Sequence, residues 1–176
     1  MLPDTPATRA LALALTLAAS APLARAEPTL MAPDWAGAAC AQWNRTPTLL
    51  DGLAGEWMRN DGGKGFKVIH LYRSDCGEAT RVELRIGARD GQARCLYGGK
   101  VETAPLNAAV DYTMHATTAR WGEMGKGDYG PMRAMMFGRL EFVGPKLEAM
   151  GVMVPFEAFL LLVGKVPGDL AACPAR

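Results

Sequence analysis

The sequence predicts an α+β fold, an antiparallel sheet with helices gathered on one face. Three observations lead there. Arg81 to Ile86 alternates strictly, with Val82, Leu84 and Ile86 on one side and Arg81, Glu83 and Arg85 on the other, the period of a half-wet strand. Apolar residues elsewhere recur at helical spacing, as at Phe156, Phe159, Leu160 and Val163. The order of elements is helix, three strands, strand, two helices, strand, helices, without the regular β–α alternation of a parallel sheet.

Taken from the N-terminus, Met1 to Ala26 reads as a cleavable signal peptide. Arg9 supplies the charged start, an Ala/Leu run covers Ala10 to Ala19, and Ala24-Arg25-Ala26 fits the cleavage site. The run is too short to span a bilayer. Cleavage near Ala26 leaves 150 of the 176 residues and places the chain in the periplasm or outside the cell. It removes Arg9, Arg25 and Asp4, so the net charge falls from +1 to zero. Residues 27–34, with Pro28 and Pro33, read as a flexible leader, and residues 35–176 as one domain.

Trp35 to Arg59 has helical spacing divided by Pro47. Asn60-Asp61-Gly62-Gly63 ends it. Three strands follow at 66–73, 81–86 and 93–97, the last two joined by the hairpin signal Arg89-Asp90-Gly91. Asp111 to Ala116 alternates again, with Tyr112, Met114 and Ala116 facing in. Thr117 or Thr118 caps a helix carrying Trp121 and Met124. Pro131 opens a short helix with Met132, Met135 and Met136 on one side. A strand over 139–143 turns Leu140 and Phe142 inward, and Pro145 and Pro155 each begin a further helix.

Composition excludes several functions. A near-neutral chain lacks the basic surplus that phosphate binding needs, so no nucleic acid is expected. No run of 18 apolar residues makes a multi-span membrane protein. The mature part contains one serine, Ser74, outside any G-x-S-x-G. His70 and His115 lie on different strands, and there is no C-x-x-C and no close Cys/His pair, so no zinc site is expected. Gly125-Lys126-Gly127-Asp128-Tyr129-Gly130 matches G-x-G-x-x-G but follows a helix, which makes it turn chemistry. No catalytic residue and no cofactor follow from these residues, and the chain is expected not to be an enzyme.

Cys40, Cys76, Cys95 and Cys173 in an exported chain suggest two disulfides, with three connectivities open. The favoured pairing is Cys76–Cys95 within the meander and Cys40–Cys173 between the ends; free thiols are the alternative. Seven of the ten methionines lie between Met114 and Met153. They suit core packing, a copper(I) site, or the lining of an adaptable apolar pocket. Trp121, Phe137, Phe142, Phe156 and Phe159 share that segment, which favours the pocket.

The stretch Asp111-Tyr112-Thr113, Thr118-Ala119-Arg120-Trp121, Gly127, and Met135-Met136-Phe137-Gly138-Arg139-Leu140-Glu141-Phe142-Val143-Gly144 resembles the C-terminal half of the sterol carrier protein type-2 domain family. Gly144-Pro145 departs from the Gly-Asp often found there. The resemblance implies a five-stranded, mainly antiparallel sheet covered by helices, with an apolar tunnel between them. It further implies non-enzymatic binding or transfer of a sterol, fatty acyl or isoprenoid lipid. Carried over residue by residue, it places the tunnel at Trp121, Met124, Met132, Met135, Met136, Leu140, Phe142, Met150, Phe156, Phe159 and Leu160. The partner is then a small apolar lipid, with at most transient membrane contact and no protein partner specified. The rival readings are an accessory module with a closed core and a methionine-based copper(I) binder.

Overall fold

The computed structural model describes residues 27–175; the signal peptide read from the sequence lies outside the described residues. The chain runs α1 (Pro33–Trp43), α2 (Pro47–Gly52), α3 (Glu56–Arg59), β1 (Phe66–Arg73), a 3-10 turn (Glu78–Thr80), β2 (Val82–Arg89), β3 (Gln92–Lys100) and β4 (Tyr112–Ala116). Then come α4 (Thr118–Lys126), α5 (Pro131–Met136), β5 (Glu141–Val143), α6 (Lys146–Gly151), α7 (Met153–Leu160) and α8 (Leu162–Lys165).

Local chemistry explains most of these boundaries. Prolines open α1, α2 and α5, where a missing N–H costs nothing. Thr117 caps α4 by accepting a hydrogen bond from the Arg120 N–H. Gly127, at φ 77°, ends the same helix in the left-handed conformation and donates its N–H to the Met124 carbonyl. The G-x-G-x-x-G match is thus helix-ending geometry. Asp90 and Gly91, with φ 53° and 76°, make the tight turn between β2 and β3.

The five strands form one sheet in the order β3-β2-β1-β4-β5. All neighbours are antiparallel except β1 and β4, which run parallel with Ile69 opposite Tyr112 and Leu71 opposite Met114. The fold is α+β, as the sequence predicts. The single parallel pair arises because the connection from β3 to β4 carries the chain past two strands to the far side of β1. Ile69, Leu71, Val82, Leu84, Ile86, Tyr112, Met114 and Phe142 join the core shared with the helices. Helix α1 packs on β2 and β3, α7 packs on α2 and α5, and α8 packs on α4 and α1.

Three expectations are corrected. Residues 27–34 are not a flexible leader. Thr29 bridges Asp169, the Leu30 and Asp169 N–H groups donate to the Asp169 and Pro28 carbonyls, and Leu30 and Met31 are fully buried. Their apolar side chains had a core to enter, which the flanking prolines concealed. The disulfides are Cys40–Cys95 and Cys76–Cys173, with Cα atoms 5.3 and 5.4 Å apart. Cys40 on α1 lies against β3 because α1 crosses that strand, so proximity in the meander did not decide the pairing. Finally, the face of β2 assigned to solvent is partly covered. The segment after β3 folds over it, and Glu83 accepts hydrogen bonds from the Glu102 and Thr103 N–H groups and the Thr103 hydroxyl.

Candidate functional site: an aromatic cavity, a methionine groove and a buried ion pair

Between the sheet and α2, α3, α6 and α7 runs a chain of aromatic rings. Trp57 stacks on Tyr112 at 5.9 Å, and Tyr112 meets Phe142 edge-on at 5.4 Å. Phe142 leads to Phe156 at 5.9 Å, Phe156 to Phe159 at 6.3 Å, and Phe159 to Trp43 at 6.0 Å. The rings border an apolar cavity of about 30 Å³, room for a water molecule and far less than a lipid chain. Leu53, Ile69, Met114, Ala149, Val152 and Pro155 complete its walls.

A second space also borders Phe142. It is an open groove of about 340 Å³ lined by Met132, Met135, Met136, Leu140, Phe142 and Met150, with the charged residues Glu141 and Lys146. Phe142 borders both spaces. The groove opens onto an apolar surface, because Met136 is 72% exposed, Phe137 69% and Leu147 84%. A volume of this size falls in the range of small-molecule sites.

The sequence-predicted lining residues therefore divide into three groups. Phe142, Phe156 and Phe159 border the inner cavity. Met132, Met135, Met136, Leu140, Phe142 and Met150 border the outer groove. Trp121, Met124 and Leu160 border neither space; they are buried core residues, and the Trp121 indole N–H donates to the Tyr72 carbonyl. Met132, Met136 and Met150 are exposed. Short helices such as α5 and α6 turn one apolar side to the core and still show apolar groups to water. No histidine lines the methionine groove. Among the described residues, no three His, Cys, Asp or Glu side chains come together as a metal cluster.

Sequence reasoning missed Trp43, Trp57 and Leu53, which come from α1, α3 and the turn between α2 and α3. Their spacing suggested helix, but nothing local placed them beside residues much later in the chain. It also missed a polar cluster at the edge of the cavity. Lys67 is fully buried, and its ammonium donates to Glu148 Oε2 at 2.6 Å and to the Trp57 carbonyl at 3.2 Å. The Tyr112 hydroxyl donates to the same Glu148 oxygen and accepts from the Trp57 indole N–H at 2.9 Å. The ammonium lies 4.6 Å from the Trp57 ring centre and 5.2 Å from that of Tyr112. Burial holds the Lys67 ammonium below its ordinary pKa despite the opposing pull of Glu148. Burial and the adjacent Glu148 carboxylate both push the Tyr112 hydroxyl up.

No protein-family model and no curated protein matches the chain. Solved structures do. A crystal structure of sterol carrier protein 2 aligns with a TM-score of 0.49 and 19% identity, over 78% of this chain and 99% of its own. The solution structure of a conserved hypothetical protein from Thermus thermophilus aligns at 0.47 with 18% identity, over 82% of this chain and 94% of its own. Sterol carrier protein 2 from Yarrowia lipolytica, in its apo form, aligns at 0.34 with 15% identity, over 66% and 87%.

Proposed function

We propose that this protein binds an apolar lipid without catalysis, in the periplasm or outside the cell, and hands it on by transient contact with a membrane. The observation that carries this reading is the position of Phe142. One aromatic side chain lines both a methionine-rich groove and a cavity walled by aromatic rings. Methionine side chains repack cheaply around apolar ligands. Rotation of Phe142 would join the two spaces into a single apolar channel beneath α6. Burying about ten CH₂ groups supplies roughly 8 kcal/mol before ordering costs. The exposed Met136, Phe137 and Leu147 around the groove supply an apolar rim for meeting a bilayer.

The test is binding of lauryl alcohol, followed by displacement of an environment-sensitive fluorescent probe, together with lipid extraction from protein purified from its native host. Phe142→Ala should cost about 3 kcal/mol of stability. It should also raise affinity for the alcohol, because the space of the lost ring lies against both the groove and the cavity. No bound lipid and no displacement by either protein would end this reading.

A second reading is favoured by the small inner cavity. At about 30 Å³ it is closed to any lipid as it stands, as in an accessory module with a closed core. On that reading Phe142→Ala loses stability and gains no ligand.

A further inference from the structure

Lys67, Tyr112 and Glu148 form a unit that neither stability nor the apolar cavity explains. A buried ion pair is weak support for a fold, since apolar side chains of similar volume often serve as well or better. Here a fully buried ammonium and a phenol hydroxyl both point at one carboxylate oxygen. Among the described residues, Glu148 is the only carboxylate within ion-pairing distance of that ammonium. The two donors belong to the sheet, on β1 and β4, and are fixed by their ladders. The acceptor belongs to α6, a six-residue helix whose one buried residue is Ala149 and whose Leu147 is 84% exposed. The donors are thus rooted in the sheet, and the carboxylate sits on a short helix with one buried residue. The rings of Trp57 and Tyr112 that flank the ammonium are also walls of the apolar cavity. A cation and a hydroxyl donor at the end of an apolar space are the elements of a site for a carboxylate carried on an apolar chain.

The geometry points to Lys67 and Tyr112 as the anchor for the carboxylate head of an amphiphilic ligand, with Glu148 occupying that anchor until the ligand displaces it. This rests on the lipid-binding reading and narrows its ligand to an acid. The chain lies along the aromatic cavity, and the head replaces the Glu148 oxygen on the same two donors. Glu148 is therefore an internal competitor, and its departure moves α6 away from Tyr112 and widens the path past Phe142.

The experiment compares lauric acid with lauryl alcohol, equal in chain and different in head, on the wild-type protein and three variants. Glu148→Gln removes the competing charge and keeps the side-chain volume. It should strengthen lauric acid binding by about tenfold, the worth of one charge-assisted hydrogen bond, and leave the alcohol within about twofold. Lys67→Met should erase the preference for the acid. If Lys67→Met does not fold, Tyr112→Phe carries the same test, with acid binding weakened several-fold and the alcohol unaffected. As an independent readout, carboxyl-labelled lauric acid should stay ionised at lower pH when bound than when free, observed by NMR. Alcohol binding with no acid-specific response to Glu148→Gln overturns the anchor and leaves the lipid-binding reading standing. Absence of binding for both ligands in every protein overturns both.

Discussion

Glu83 shows how far one residue can depart from its pattern. Strict alternation assigns it to solvent between Val82 and Leu84, yet it is fully buried. Burial works to raise its carboxyl. The Thr103 and Glu102 N–H groups, the Thr103 hydroxyl and His70 outweigh that and hold it below the usual carboxylate range. His70, 3.3 Å away, is held below the usual imidazole value by burial, against the pull of Glu83. Both groups therefore bind fewer protons folded than unfolded, so stability rises with pH. The contribution is complete about one unit above the ordinary imidazole value of 6.5, where the unfolded imidazole is neutral, and is lost as pH falls through the two folded values. The urea midpoint should drop steadily from about pH 7 to about pH 3. Glu83→Gln should flatten the part below about pH 4.5. A wild-type profile that is level across this range would contradict the assignment.

At the scale of elements, two glycines three positions apart on α4 have opposite duties. A Cβ on Gly125 would stand 2.7 Å from the Gly164 nitrogen on α8, and one on Gly164 would collide with the Gly125 carbonyl. These two helices touch backbone to backbone. Gly122 has no atom within 4 Å of its Cβ position. Gly125→Ala should thus destabilise by about 1–3 kcal/mol through overpacking. Gly122→Ala should stabilise by about 0.5–1 kcal/mol through helix propensity. Urea denaturation of the two variants measures both, and equal shifts would show that the crossing is looser than the distances imply. The same kind of contact explains the wrong disulfide expectation. Gly98 on β3 meets the Ala36 carbonyl of α1 so closely that no side chain fits, and this approach brings Cys40 to Cys95.

For the molecule as a whole, the two disulfides close loops of 55 and 97 residues. In the chain-entropy account each restrains the unfolded state by about 4–5 kcal/mol. Cys76–Cys173 holds the C-terminal segment, whose Leu170 and Ala172 carbonyls accept from the buried Arg73 guanidinium. Cys40–Cys95 joins α1 to the edge of the sheet. The denatured, unreduced protein should show no free thiol. A reductant should lower the melting temperature by many degrees, and the Cys76→Ser/Cys173→Ser pair should lower it without disturbing the aromatic cavity at the other end of the sheet. A melting curve indifferent to reductant would mean that the bridges restrain little.

What the sequence determined alone was local. The positions of most strands and helices, the α+β class, the inward faces of β2 and β4 and the cap of α4 follow from periods of two and 3.6 residues and from turn chemistry. The resemblance of the Asp111 to Gly144 stretch led to the methionines and phenylalanines of the groove, though not to the rings from α1 and α3 that face them. Only the tertiary structure decided which inward residues border open space and which, like Trp121 and Met124, are packed solid. Apolar periodicity reports the side a residue faces, not whether atoms fill the space beyond it. Only the fold could reveal the Lys67–Glu148 pair as well, because its partners stand 81 residues apart. A lone lysine in an apolar strand carries no local sign of the carboxylate that makes its burial tolerable.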